Sequence, residues 1–428
     1  MPSFDELSAG LDRGLGALRS WKHARALAAL AWVVLLVWGL AKCAGGKDFL
    51  AYFDAGGAFL KLAPDFYVAG PLSGLTYYYP PFFAMVLAPF AWLLPPLVAG
   101  FLWFLLKVWL LGLVIKELAL LLPKQRHLNA LLFLGFLATA RFVIDDLKLG
   151  QCNLFVMELS LLGMIAFKKG RANLAVLLLA LATSIKIYPG IFLLYLLFSG
   201  RWAASAKMLL LLAAFNLAPA LFYQGQYPAL VRAFLDASVF HAGQNSESGI
   251  ANQSIWAVCM RFLGRNTTDS SPLAYVNFMD LGFDQVRRVA LGVELACLGA
   301  LCLSLTRLRR KGGEHHLVSV TLLLCLLMPM VARKSNFVFC LFPIISALAG
   351  LRDLQGQGQP RWRFRALAAC LALGVFFVGF TSDGLLTRRV SNFLECYSNL
   401  CLGALVLGGV NLALFWLRPD QLRGPRPA

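Results

Sequence analysis

The chain has 428 residues, of which 59% are hydrophobic and only 14% are charged, and its mean hydropathy is +0.71. This composition excludes an ordinary soluble domain. Apolar runs of roughly 17–25 residues can each cross the hydrocarbon layer of a bilayer. About ten to thirteen such runs occur between 24–44 and 399–417. The sequence therefore predicts an all-α polytopic membrane protein.

The formal net charge of +18 raises the possibility of nucleic-acid binding. However, the basic residues lie in short loops beside the apolar runs, as the positive-inside rule expects for cytoplasmic loops. We therefore predict no nucleic-acid partner, and we expect these loops to contact anionic membrane lipids. The clusters are Arg13/Arg19/Lys22/Arg25, Lys124/Arg126, Lys168/Lys169/Arg171, Arg307/Arg309/Arg310/Lys311, Arg361/Arg363/Arg365 and Arg418/Arg423/Arg426.

These loops set the order of compartments along the chain. Residues 1–23 are predicted to be a cytoplasmic segment, and the first span, 24–44, crosses outward and stays as an anchor. The loop 45–80 then lies on the outer face. Residues 24–350 form the predicted catalytic region, and 351–428 add the C-terminal spans and a cytoplasmic tail.

The outer loop 45–80 contains three acidic residues. Asp48 precedes a helical pattern that begins at Phe49, and Tyr52 is four residues further along, on the same helical face. Asp48 fits two roles that do not exclude each other, an N-cap of that helix and a catalytic base. Asp54 and Asp65 fit solvated loop positions better.

Five prolines interrupt residues 80–96. Proline breaks the helical hydrogen-bond ladder, which a membrane tolerates only where the backbone is satisfied or lines a cavity. We therefore expect 82–94 to be re-entrant or interfacial and 98–122 to be one span.

The next polar site follows the third apolar run. Asp145 and Asp146 are adjacent carboxylates that fit an interfacial turn better than a metal site, because no third ligand is in view. Gln151 and Asn153 offer neutral donors and acceptors, suited either to sugar hydroxyls or to tying helices together.

The hydrophobic stretch 172–198 is broken at Lys186-Ile187-Tyr188-Pro189. Both flanking loops are basic, so the chain must go out and return within this stretch. Its first arm, 172–185, would be only about 21 Å long at 1.5 Å per residue. The break should therefore lie below the outer surface in a water-filled cavity, where Lys186 needs a functional partner.

The long polar segment 223–285 is predicted to cap this outer cavity. It contains Asn252-Gln253-Ser254 and Asn266-Thr267-Thr268, both of which fit the weak glycosylation pattern. Further on, His315-His316 is expected to be solvated in a cytoplasmic loop.

Arg333 and Lys334 are basic but fall on the outer side of the predicted topology. They could bind a phosphate, Arg333 through its planar fork and Lys334 as a point charge. The alternative is that they mark a span end whose side chains reach the interface.

The order of several motifs resembles glycosyltransferase family 87, a family of the GT-C superfamily. The motifs are Asp48-Phe49-x-x-Tyr52, Tyr79-Pro80-Pro81, Gly150-Gln151-x-Asn153, Lys186-x-Tyr188-Pro189 and Asn252-Gln253-Ser254 with Arg261. The similarity extends over about residues 46–345. It implies a GT-C-type bundle whose outer-face loops form a cavity.

The resemblance also implies an activity: transfer of a sugar, often mannose, from a polyprenyl-phosphate donor to a lipid or glycan acceptor at the outer face of the cell membrane. Asp48 would be the base, and we expect neither a metal nor another cofactor. The residues predicted to contact donor or acceptor are Tyr52, Tyr79, Gln151, Asn153, Lys186, Tyr188, Asn252, Gln253, Arg333 and Lys334.

One departure from the family pattern concerns Met328–Asn336, where relatives usually carry a histidine and this sequence has none. Arg333 or Lys334 could substitute if that histidine handles the donor phosphate. If it transfers protons, the chain would be altered in rate or substrate, or inactive.

Two alternatives to an active transferase stay open at this point. A transporter or flippase of a lipid-linked saccharide would also have broken helices and intramembrane charges, although the two halves show no repeat. A catalytically inactive scaffold subunit is suggested only by the missing histidine.

Overall fold

The computed structural model describes residues 4–43, 45–63, 66–125, 127–240, 249–265, 276–357 and 359–420. Within these residues the regular elements are helices, and sheet pairing is limited to two isolated bridges, Ala69 with Thr76 and Gly264 with Leu281. Asp65, Arg126, Arg423, Arg426 and the motif that starts at Asn266 lie outside the described residues.

Twenty α-helices follow one another in the described part of the chain. They are α1 Phe4–Ser20, α2 Ala24–Trp38, α3 Lys47–Leu60, α4 Pro81–Leu93, α5 Pro96–Glu117, α6 Leu128–Leu149, α7 Asn153–Lys168, α8 Ala172–Ile185, α9 Ile191–Phe198, α10 Trp202–Leu217, α11 Ala220–Tyr223, α12 Tyr227–Leu235, α13 Ile255–Leu263, α14 Phe283–Thr306, α15 Leu308–Lys311, α16 Glu314–Leu327, α17 Leu341–Gln355, α18 Arg361–Gly379, α19 Arg388–Cys396 and α20 Asn399–Leu417. A 3₁₀ segment, Lys334–Cys340, leads into α17.

Eight helical stretches of the described residues are long and apolar enough to cross a membrane. They are Ala24–Lys42, Pro96–Leu120, Leu128–Leu149, Trp202–Ser238, Phe283–Thr306, Lys334–Gln355, Arg361–Gly379 and Asn399–Leu417. The prediction of an all-α polytopic membrane protein is confirmed. The predicted count of about ten to thirteen is reached only by adding four shorter apolar stretches, Pro81–Leu93, Ala172–Ile185, Tyr188–Phe198 and Glu314–Leu327.

The helices differ sharply in how much of their surface the protein covers. α16 and α17 are buried along almost their whole length and form the centre of the bundle with α7. By contrast, α2 has no buried residue and would present its apolar side chains to lipid. Hydrophobic residues serve both environments in a membrane, because lipid tails are as apolar as leucine.

Two expectations about local structure are revised. His315 and His316 are not solvated: they lie in the first turn of α16, buried, and His316 Nδ1 is 3.0 Å from Asn411 Oδ1. Asp145 and Asp146 are not in a turn between spans but in the last turn of α6, which ends at Leu149.

The break in the middle of the predicted span 172–198 is confirmed. α8 ends at Ile185, Lys186 is extended, and a 3₁₀ turn at Tyr188–Gly190 leads into α9. The prolines at 80–96 produce a second interruption, where α4 begins at Pro81 and contains Pro89. Both interruptions bring non-helical backbone to the same end of the bundle.

Candidate active site

A cavity of about 610 Å³ lies at that end of the bundle, and we call it the aspartate cavity. It collects residues from six separate segments of the chain. They include Asp48, Tyr52, Leu75, Tyr78, Tyr79, Gln151, Lys186, Ile187, Tyr188, Met328, Met330, Val331, Arg333 and Asn336. Each of the four shorter apolar helices has an end next to one of these residues. Their shortness is explained by the cavity that they open onto.

Asp48 enters the cavity from the first turn of α3. The helix begins at Lys47 with Gly46 as its N-cap, and no side chain caps it. The interpretation of Asp48 as a helix cap is therefore wrong. Its carboxylate Oδ2 instead accepts a hydrogen bond of 3.1 Å from Gln151 Nε2.

The meeting of Asp48 and Gln151 depends on Gly150. This residue ends α6 with φ +72°, in the left-handed region that favours glycine. A Cβ on Gly150 would lie 2.6 Å from Cβ of Phe49, so any side chain here would push α3 away. The Gly150-Gln151 pair thus lets the end of α6 touch the start of α3 backbone to backbone.

Two amide side chains connect Asp48 to Lys186. Gln151 Oε1 accepts hydrogen bonds from Asn153 Nδ2 and from the Ser335 hydroxyl. Asn153 Oδ1 in turn accepts from Lys186 Nζ. These contacts orient both amides, since each uses its NH₂ toward an acceptor and its oxygen toward donors. The carboxylate of Asp48 and the ammonium of Lys186 are thereby held facing one cavity without pairing with each other.

The environment of Asp48 shifts its proton affinity. Burial raises the pKa of its carboxyl above the ordinary value of 3.8. The hydrogen bond from Gln151 and the positive charges of Arg333, Lys186 and Lys107 oppose that rise. A carboxylate is a more effective proton acceptor when its pKa lies closer to physiological pH.

A buried ion pair between Lys107 and Asp146 lies next to this site. Asp146 was considered in the sequence analysis, but Lys107 was not selected. Lys107 of α5 donates to Asp146 Oδ1 at 2.9 Å and to the backbone carbonyl of Gln151 at 2.8 Å. Both charged side chains are completely buried. The available signal was a lysine in the middle of an apolar span, which the bilayer tolerates only with a partner. Glu158 lies buried nearby, with no hydrogen-bond partner among the described residues.

Two predicted tyrosines form the aromatic wall of the cavity. The Tyr52 hydroxyl donates to the Tyr79 hydroxyl at 2.9 Å, and their rings meet edge to face. Lys186 Nζ lies 6.0 Å from the centre of the Tyr79 ring, within the outer range of a cation–π contact. Tyr188, two residues after Lys186, also lines the cavity.

Asn252 and Gln253 were predicted to contact substrate, but the structure places them behind the cavity wall. Asn252 Nδ2 donates to the carbonyl of Met330 at 2.8 Å, and its Oδ1 accepts from the Ala332 amide at 2.9 Å. The backbone N–H of Gln253 donates to the Ala332 carbonyl at 2.8 Å. Both residues therefore hold the backbone that carries Met330 and Val331. Asn252 is buried, which leaves no room for glycosylation there.

The adjacent cations Arg333 and Lys334 point to different places. Arg333 is exposed to the aspartate cavity and forms no ion pair within the described part of the chain. Lys334 turns away and binds Glu395 of α19 at 2.7 Å. The prediction that Lys334 joins Arg333 at the cavity is not supported. Asn336, which the sequence analysis did not select, lines it instead.

Asp54, the next carboxylate of α3, faces a backbone loop and not the aspartate cavity. Its oxygens accept hydrogen bonds from the backbone amides of Leu72 and Ser73, so it closes the loop 70–75 and does not line the aspartate cavity. Among the described residues, no three His, Cys, Asp or Glu side chains are grouped so that they could hold a metal ion. The absence of a metal requirement stays a prediction.

Comparison with known proteins supplies one match. Residues 77–332, more than half of the chain, match the family model of glycosyltransferase family 87. The match is narrower than the predicted range of about 46–345: Asp48 and Tyr52 precede the matched residues, and Arg333 and Lys334 follow them directly. No curated protein and no solved structure matches the chain. With its membrane-spanning helices and this match, the chain belongs to glycosyltransferase family 87 and is a membrane glycosyltransferase.

Proposed function

We propose that the protein transfers a sugar, mannose in the first instance, from a polyprenyl-phosphate donor to a lipid or glycan acceptor, with Asp48 as the general base. One observation carries this proposal. Asp48 and Lys186 face one cavity and are held apart by Gln151 and Asn153. Transfer from a sugar phosphate needs such a pair, a proton acceptor at the nucleophile and a cation at the leaving group.

The reaction would proceed by a single displacement. The acceptor hydroxyl gives its proton to the Asp48 carboxylate while its oxygen attacks the anomeric carbon of the donor. The bond between that carbon and the phosphate oxygen breaks, and the electron pair stays on the phosphate. A β-linked donor would then give an α-linked product, because attack and departure occur on opposite faces.

Lys186 and Arg333 would act on the departing phosphate. The donor is a phosphodiester with one negative charge, and the released polyprenyl phosphate can carry two. Fixed cations stabilise the charge that develops in the transition state more than the charge already present in the donor. The two residues reach the cavity from unrelated segments, the break after α8 and the segment before α17.

Several features support a lipid-linked donor over a nucleotide sugar. The cavity is built from the ends of membrane helices, and Met328, Met330, Val331 and Ile187 give it an apolar side next to its charged side. The sequence shows no glycine-rich phosphate loop and no soluble domain for a nucleotide. We place the cavity on the outer face of the cell membrane, following the positive-inside rule.

The test is a transfer assay on purified protein in nanodiscs. Wild type, Asp48→Asn and Asp284→Asn would be incubated with radiolabelled polyprenyl-phosphomannose and a pool of membrane-lipid acceptors. Asp284 is a matched control, because it is an exposed carboxylate in the first turn of α14, away from the cavity. We expect Asp48→Asn to lower transfer by about 10²–10⁴-fold and Asp284→Asn to leave it unchanged.

The same assay separates the alternatives. Wild-type transfer that survives Asp48→Asn would move the base to another residue. Movement of the lipid-linked saccharide across the bilayer without transfer, again surviving the substitution, would favour the flippase. Wild type that binds donor but transfers nothing to any acceptor would support the inactive scaffold. Family membership supports transfer over both.

A further inference from the structure

A second cavity, of about 420 Å³, lies at the opposite end of the bundle, and we call it the basic cavity. Its wall combines three loops that are far apart in sequence: the end of α7, the link between α9 and α10, and the segment around α15. Its charged lining residues are Lys168, Arg201, Arg309 and Glu314.

The distance between the two cavities follows from the length of two helices that connect them. α8 runs from beside Lys168 to Lys186, and α16 runs from Glu314 to just before Met328. Each helix has 14 residues, which corresponds to about 21 Å at 1.5 Å per residue. The basic cavity shares no lining residue with the aspartate cavity, so it is a separate site.

Positive charge exceeds negative charge in the basic cavity. Glu314 pairs with Lys168 and with Arg201, in both cases at 2.6 Å. Arg309 is the third cation, and its Nη2 donates to the neutral backbone carbonyl of Gly200 at 3.1 Å. One carboxylate thus faces three cations, which leaves an excess of two positive charges.

One donor in this wall has no acceptor. Arg201 Nη1 is buried and has no hydrogen-bond partner among the described residues, while Nη2 of the same guanidinium binds Glu314. Glu314 Oε1 already accepts from Arg201 and from the Tyr195 hydroxyl at 2.8 Å, so it offers little further capacity. The guanidinium carbon also lies 4.9 Å from the centre of the Phe167 ring. An N–H group without an acceptor is costly, and an oxygen of a ligand or of water would satisfy it.

We propose that the basic cavity binds a phosphate group, with Arg201 and Arg309 as its principal donors and Lys168 as a neighbouring point charge. Guanidinium forks match phosphate oxygens in geometry and form strong charge-assisted hydrogen bonds with them. The phosphate belongs either to an anionic lipid headgroup, which the predicted cytoplasmic side of the membrane supplies, or to a soluble phosphate compound. This inference does not depend on the role of Asp48.

The experiment compares wild type with Arg309→Gln and Arg307→Gln as full-length purified proteins. Arg309 is exposed, and among the described residues its guanidinium hydrogen-bonds to a backbone carbonyl and forms no ion pair, so its loss should not disturb folding. Arg307 is the matched control, because it is an exposed cation two residues away that does not line the cavity. Native mass spectrometry after mixing with phosphatidylglycerol and phosphatidylcholine measures lipid binding. Equilibrium dialysis measures binding of radiolabelled inorganic phosphate.

We expect Arg309→Gln to weaken anion binding about tenfold or more, the loss of one charged hydrogen bond, while Arg307→Gln matches wild type. Selective retention of phosphatidylglycerol would identify a lipid headgroup site, and phosphate binding without lipid selectivity would identify a soluble ligand. Equal binding by wild type and Arg309→Gln for both probes would overturn the proposal. So would an equal loss in Arg307→Gln, which would show attraction by the whole basic surface.

Arg201→Lys provides a second measurement at the same site. It keeps the positive charge beside Glu314 but removes the planar fork and the unpaired Nη1. Binding should therefore weaken although the net charge is unchanged. Unaltered binding in this variant would contradict the assignment of Arg201 as a donor.

Discussion

The aspartate cavity and the basic cavity both contain acidic and basic side chains, but they arrange them differently. In the basic cavity Glu314 contacts Lys168 and Arg201 directly, so three chain segments are tied together. In the aspartate cavity, the amides of Gln151 and Asn153 separate Asp48 from Lys186. A direct pair ties its chain segments together, and in the basic cavity one carboxylate offsets only part of the charge of three cations. Amide spacers hold opposite charges in place and leave both able to act on a substrate.

The buried pair of Lys107 and Asp146 extends this comparison within one end of the molecule. It lies directly beneath the aspartate cavity, yet it is paired like the residues of the basic cavity. We therefore expect directly paired charges to control stability and amide-separated charges to control transfer.

Breaking the buried pair should have the largest effect on stability. Lys107→Met leaves Asp146 charged and unpaired in a buried site, which should cost about 3–5 kcal/mol of the free energy of unfolding. The double substitution Lys107→Met with Asp146→Asn removes both charges and keeps an acceptor for the Leu154 amide, which Asp146 now binds at 3.1 Å. Denaturant titration should show the double variant to be more stable than Lys107→Met. The same or lower stability would contradict the comparison.

Removing Lys186 should have the largest effect on transfer among the cations. Lys186→Met deletes a charge directed at the departing phosphate and should lower kcat by about 10²–10³-fold. Stability should change much less than in Lys107→Met, because Lys186 binds a neutral amide and leaves no unpaired carboxylate behind. Steady-state kinetics and denaturant titration on one preparation measure both. A loss of stability that matches the loss of activity would mean that Lys186 has a structural role.

Replacing Glu314 in the basic cavity should have the opposite effect to replacing Lys186: stability should fall while transfer is unchanged. Glu314→Gln removes the carboxylate that two cations share and should cost about 2 kcal/mol of stability, since both cations lose their ionic partner. Transfer by the folded protein should stay near the wild-type rate, because this site is a helix length away from Asp48. Strong loss of kcat with normal stability would show that the two cavities are coupled.

Removing the spacer should alter the pH dependence of transfer. The hydrogen bond from Gln151 lowers the pKa of Asp48 against the effect of burial, so Gln151→Leu should raise that pKa further. Transfer needs the ionised carboxylate, so activity should fall as pH decreases through the pKa, and in this variant it should fall at a higher pH. A pH profile identical to that of wild type would exclude this control by Gln151.

The raised pKa of Asp48 also affects stability: activity rises with pH as Asp48 ionises, whereas the free energy of unfolding falls. A carboxyl that binds its proton more tightly in the folded than in the unfolded state destabilises the fold as pH rises between the two pKa values. The pH dependence of unfolding in Asp48→Asn should therefore lack this decline.

Lys334→Gln should have the smallest effect on transfer. The ammonium of Lys334 is partly exposed and binds the buried carboxylate of Glu395 in α19, away from the aspartate cavity. Donor KM should stay near the wild-type value, because Lys334 does not line that cavity. Arg333→Gln is the comparison, because it removes the neighbouring charge that does face the cavity and should raise donor KM more. A larger effect from Lys334→Gln would reverse the assignment of the two cations.

The sequence by itself determined the membrane-helical class, the break at Lys186 and the shared helical face of Asp48 and Tyr52. These features follow from hydropathy, from proline and from helical spacing, all of which act locally along the chain. Motif order also identified the family. No local pattern, however, indicated that Gln151 and Asn153 would join Asp48 to Lys186.

Tertiary structure decided which side chains meet. Hydropathy does not tell a lipid-facing side of a helix from a buried one, since both are apolar in a membrane, and so the buried pair of Lys107 and Asp146 was not predicted. His316 was expected to be solvated, but it packs inside the bundle against Asn411. The rotation of each helix, and the close contact of α3 with α6 at Gly150, exist only in the packed bundle. For the same reason Arg333 reaches the cavity while Lys334, the next residue, binds α19: direction depends on neighbouring helices that the local sequence does not encode.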